Sequence, residues 1–123
     1  MNPWVQSGTV EVTNPTGPLE EALYVHFARD LDDGEAMSLA ICHARAYALA
    51  TDDRKARRIA GQLASPAVEL LSTSQLLHHW ANRTGATAGE LQRVLSAIEL
   101  RARFIPPKDD PLREWWIRSR TEA

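Results

Sequence analysis

Leu31-Asp32-Asp33-Gly34-Glu35, the nearly all-apolar run Ala36 to Ala50, and Thr51-Asp52-Asp53-Arg54-Lys55-Ala56-Arg57-Arg58 form the stretch that decides the fold. Two acidic clusters bracket an apolar segment too long for one strand. The segment divides into a buried helix over about Glu35 to Arg45 and a short buried strand over about Ala46 to Thr51. A right-handed crossover then sets Asp52 and Asp53 at the carboxyl end of a parallel strand, the end at which open α/β sheets bind ligands. Asp33 and Glu35 stand in the first turn of the helix, where its dipole favours negative charge. Brought together by folding, these carboxylates are hard-cation ligands. On propensity alone Ala46-Tyr47-Ala48-Leu49-Ala50 is also good helix sequence. One unbroken helix there would separate the clusters by about 1.5 Å per residue and remove the metal site.

Outward from this stretch, strand and helix alternate, which is parallel-sheet logic. Thr9 to Thr13 alternates β-branched and polar residues as a strand does, and Asn14-Pro15-Thr16-Gly17-Pro18 is turn chemistry. Leu19 to Ala28 places Leu19, Leu23, His26 and Phe27 at helical spacing. Arg54 to Leu63 reads as a helix with Ala56, Ile59, Ala60 and Leu63 inward, its cations mostly outward, and Ser65-Pro66 as its stop. Ala67 to Leu71 is a strand. Ser72, Thr73 or Ser74 caps a helix running to about Arg83, and Thr87-Ala88-Gly89-Glu90 has the capping-box pattern for another to about Arg101. Phe104-Ile105 is a last short strand. Asp110-Pro111 opens a final helix carrying Trp115, Trp116 and Ile117. The expectation is one α/β domain over residues 1–123: a short parallel sheet flanked by helices.

The chain has 123 residues, 44% of them hydrophobic, 24% charged, with a formal charge of −2. That composition supports a modest core and excludes a polycation, so any nucleic-acid contact rests on a local basic patch. Cys42 is the only cysteine, which excludes a disulfide framework and a cysteine zinc site. The N-terminus has no basic-then-apolar leader pattern, and His43 and Arg45 break the longest apolar run. A cytoplasmic location, with no membrane contact, is the expectation.

Asp33-Gly34-Glu35-Ala36, a small-residue helix, an apolar strand and Thr51-Asp52-Asp53-Arg54-Lys55-Ala56-Arg57-Arg58 together resemble the second half of a PIN domain. The resemblance extends by element order from Val10 to Trp116 and is specific over about Leu31 to Ala60. It implies a Mg²⁺- or Mn²⁺-dependent endoribonuclease of the kind found as toxins in toxin–antitoxin pairs. It places Glu35, Asp52 and Asp53 in catalysis, Asp33 with them as metal ligands, and Arg54, Lys55 and Arg58 on the RNA backbone. RNA, an antitoxin protein and a second copy of the chain are the implied partners. The family's opening strand ending in Asp, and its early helix Glu, have no counterpart here. The resemblance is therefore to an N-terminally incomplete domain, weak in metal binding and poor as an isolated enzyme, with a sheet edge left for another chain to cover.

Each residue also carries a structural reading. Asp33 and Glu35 suit a helix's first turn, Asp52 and Asp53 suit an N-cap, and Arg54, Lys55, Arg57 and Arg58 suit a solvated face. On the second of these readings the chain is a non-catalytic interaction module that binds an antitoxin or itself. His78-His79 is structural, because neighbours on a helix point about 100° apart and do not chelate together. Asp109-Asp110 reads as a turn and cap, and the tryptophans as helix docking or a partner patch.

Overall fold

A computed structural model describes residue 6, residues 11–64 and residues 67–121. The elements in order are α1 (Gly17–Phe27), α2 (Asp33–Arg45), β1 (Leu49–Ala50), α3 (Arg54–Gly61), β2 (Leu70–Leu71), α4 (Thr73–Thr84), α5 (Ala88–Ala102) and α6 (Arg113–Thr121). This is an α/β chain with helices around a two-stranded sheet. The Leu49 amide donates to the Glu69 carbonyl at 2.8 Å and the Thr51 amide to the Leu71 carbonyl at 2.9 Å. The constant offset between partners makes the pair parallel, with α3 as its crossover.

The apolar stretch does divide into helix and strand. Asp32 opens α2 by accepting the Glu35 amide at 2.9 Å, and Ala46 closes it in the left-handed region at φ 58°. Closure at Ala46 leaves a strand of two residues where six were expected. An L-residue in that conformation costs about 1–2 kcal/mol, part of which glycine's larger chain entropy cancels. Ala46→Gly should therefore raise the unfolding free energy by roughly 0.5–1 kcal/mol in urea titration. Unchanged or lower stability would mean that Ala46 is not strained.

The chain packs as two units, residues 1–49 with 53–70 and residues 50–52 with 71–123. The first buries Phe27, Leu31, Ala36, Leu39, Ala40, Cys42, Leu49, Ala56 and Ala60. Ala36 and Ala40 of α2 are fully buried in this core, and the inward face foreseen for α3 is the one observed. The face of α1 differs. Glu20 and Phe27 are buried and Leu23 and Tyr24 pack on the core, while Leu19 and His26 lie in solvent.

Glu20 explains that rotation. Its carboxylate takes Arg45 at both oxygens, Nε at 2.9 Å and Nη2 at 2.8 Å, and accepts the Thr16 amide at 2.9 Å. The same guanidinium reaches Thr13 Oγ1 at 3.1 Å and the Asn14 carbonyl at 3.2 Å. The pair is bidentate and charge-assisted, and it ties Glu20 on α1 to the end of α2. Arg45, with the Thr16 amide, holds the Glu20 carboxyl down to about 2, against 4.5 for a free one. The clip thus adds stability that is complete above about pH 4.5 and is lost as pH falls toward 2. An NMR titration of Glu20 should show the low value, and Arg45→Ala should return it toward 4.5. An unshifted Glu20 in the native protein would contradict the clip.

In the second unit Trp116 and Leu95 are fully buried. The Trp116 indole donates to Glu99 Oε2 at 2.9 Å, and Arg120 meets the other oxygen of Glu99 at 2.8 Å. Ser72 forms a full capping box with Gln75 at the start of α4. The Phe104-Ile105 strand is not formed. Pro106 and Pro107 follow it without amide donors, and the Phe104 ring packs edge-on against Trp116 at 5.6 Å. Of the strand expected over Thr9 to Thr13, residues 11–13 are irregular and Thr9 and Val10 lie outside the described residues, as does Ser65-Pro66.

Candidate nucleic-acid interface and the neighbouring carboxylates

Asp53 ends the segment after β1 in extended backbone and caps α3, its Oδ1 accepting the Ala56 amide at 2.7 Å. Behind the cap stand Arg54, Lys55, Ala56, Arg57 and Arg58. Ala56 is buried, Arg57 is half-buried, and Arg54, Lys55 and Arg58 are exposed. No acid lies in the first turn. Arg54 and Lys55 occupy the two helical positions where the dipole disfavours positive charge by about 0.3–1 kcal/mol each. Arg54 and Arg58, four apart, add like-charge repulsion on one face. The arrangement costs helix stability, and an anion bound beside it would relieve that cost.

Asp52 belongs to the second unit, where it accepts the Thr73 amide at 3.0 Å and a hydrogen bond from the Thr73 hydroxyl. It thereby fills the N-terminus of α4, the position at which an anion would otherwise bind. Thr73 escaped the sequence reading except as one of three cap candidates. Asp33 is exposed at the first position of α2 and accepts the Tyr24 hydroxyl at 3.0 Å, a bond that raises the Tyr24 pKa. Periodicity alone gave no sign of that pairing. Glu35 is half-buried in the first turn of α2, its amide bound to Asp32.

Asp33, Asp52 and Asp53 thus each have a hydrogen-bond partner within the protein. Among the described residues, no group of three or more His, Cys, Asp or Glu side chains is arranged to hold a metal ion. His78 packs its ring edge-on against Trp115 at 4.8 Å, in keeping with a structural role. No helix of the described residues is long and apolar enough to cross a membrane.

Compared with protein-family models, curated proteins and solved structures, the chain matches none. A two-stranded parallel sheet among helices is common to many unrelated folds, so the PIN resemblance remains one of sequence.

Proposed function

We propose that this chain is a PIN-like, RNA-binding domain of the cytoplasm in which Arg54, Lys55 and Arg58 hold the RNA backbone. The observation that carries this reading is the first turn of α3, where two cations stand against the helix dipole with no acid among them. Charge placed where it lowers stability is explained by a polyanion that the charge serves. The resemblance supplies RNA as the polyanion. The free, buried Cys42, whose pKa burial raises, is compatible with a reducing compartment.

A second reading, a Mg²⁺- or Mn²⁺-dependent endoribonuclease, is favoured by Asp52 following the carboxyl end of a parallel strand. Its ligands would be Asp33, Glu35, Asp52 and Asp53. One experiment separates the two. Labelled single-stranded RNA is titrated in EDTA and then incubated with Mn²⁺, using wild-type protein and Glu35→Gln. RNA retained in EDTA and left intact with Mn²⁺ supports the binding domain. Mn²⁺-dependent cleavage that Glu35→Gln abolishes establishes the nuclease. No retention in EDTA overturns the first reading.

A further inference from the structure

In the second unit, α4 and α5 are joined by the tight turn Gly85-Ala86-Thr87. Gly85 takes the left-handed region at φ 63°, and the Gly85 and Ala86 amides both donate to the Ala81 carbonyl. Past the turn α4 and α5 do not pack along each other, whereas α5 and α6 do. α6 braces both: the Trp115 ring meets His78 of α4, and the Trp116 indole donates to Glu99 of α5. Two diverging helices about a short glycine turn, held by a third, have the form of a helix-turn-helix. Opposite the inward Leu91 and Leu95, the outer face of α5 carries Gly89, Arg93 and Ser96 at helical spacing. A Cβ at Gly89 would meet nothing within 4 Å, so packing does not require a glycine that weakens the helix. Arg83 in the last turn of α4, and Arg93 and Arg103 on α5, are exposed. None of the three makes a salt bridge among the described residues. Glu90 is the one exposed acid of α5, and it accepts the Thr87 hydroxyl at 3.0 Å within the cap.

We infer that α4, the turn and α5 bind duplex DNA, with α5 in the major groove and Arg93 reading a guanine. The major groove of B-form DNA, about 12 Å wide, admits one helix, and a guanidinium there forks onto guanine O6 and N7. Gly89 and Ser96 on either side of Arg93 are small, so the helix comes close to the base edges. Arg83 and Arg103 stand at the two ends of α5, where they meet phosphates and fix its register without reading sequence. Single-stranded RNA has no groove, and the major groove of an RNA duplex is too deep and narrow for side chains to read. The contact is therefore separate from that of α3 in both its residues and its ligand, and does not rest on the RNA reading.

The test starts from a randomised pool of DNA duplexes of about 20 bp, two helical turns, selected on the full chain in EDTA at about 50 mM salt. The selected duplexes should share a guanine, and fluorescence anisotropy then follows one of them. Arg93→Ala should lower its affinity about tenfold or more and erase the preference for that guanine. Arg83→Ala should weaken every duplex alike and reduce the salt slope by about one. An RNA duplex of the same sequence should compete about tenfold less well or worse. Both arginines are exposed, and circular dichroism checks that each variant keeps the native helix content. The Arg54→Glu, Lys55→Glu variant should keep the guanine preference, which places it on α5 and apart from α3. No binding of duplex DNA, or a pool that yields no shared sequence, overturns the inference. So does an RNA duplex that competes equally, or a preference that survives Arg93→Ala or is lost with the α3 variant.

Discussion

Trp116→Ala should cost about 3–5 kcal/mol of stability, the range for deleting a large buried aromatic. Trp116 is fully buried, its ring meets Phe104, and its indole nitrogen donates to Glu99. The second unit has few other large buried side chains, so the cavity has little with which to fill itself. At a urea slope of about 1–3 kcal/mol per molar the midpoint should fall by roughly 2 M. Trp116→Phe keeps most of the ring volume and leaves Glu99 bound to Arg120. Its cost should be nearer the about 1–3 kcal/mol of one lost buried hydrogen bond. Equal losses for the two variants would show that the hydrogen bond, rather than the packing, holds α6 to α5.

Arg54→Glu with Lys55→Glu should move stability and RNA affinity in opposite directions. Acids in the first turn of α3 align with the dipole that the cations oppose, and the Arg54–Arg58 repulsion becomes attraction. The fold should gain about 1 kcal/mol. Two phosphate contacts are lost and two repulsive charges enter, so RNA affinity should fall by about tenfold or more. Arg93→Glu, an exposed cation on α5, serves as the comparison and should leave RNA affinity within about twofold, since it removes no proposed phosphate contact. If the α3 variant loses stability together with affinity, the basic turn is a structural element and the binding reading loses its support.

Helices were legible in this sequence wherever caps and periodicity agreed. Thr87 caps α5 as its pattern required, and Gly85 ends α4 in the left-handed region that glycine favours. Of the expected strands, those over Ala46 to Thr51 and Ala67 to Leu71 form in place but shorter, the one at Phe104-Ile105 does not form, and residues 11–13 of the first are irregular. Ala46 closes α2 without a glycine to announce it, and an Ala-rich segment has little intrinsic preference for a longer strand. The face of α1 was misread because one ion pair decides it. Arg45 lies 25 positions from Glu20, beyond any helical spacing rule. For the same reason the partners of the site carboxylates, Thr73 for Asp52 and Tyr24 for Asp33, were hidden, since both come from other helices. What the sequence did carry was the basic run after Asp53, because its residues are contiguous and need no folding to be seen.

The central claim is that α3 grips an RNA backbone through exposed cations, and its most direct test is the salt dependence of RNA binding. Fluorescence anisotropy of labelled single-stranded RNA, in EDTA between 50 and 200 mM salt, roughly the range over which counterion release is large, gives the slope of log affinity against log salt. Three phosphate contacts predict a slope of about −2 for the wild-type chain, and the Arg54→Glu, Lys55→Glu variant should be nearly flat. RNA binding that ignores salt, or a slope unchanged by the variant, would contradict the account.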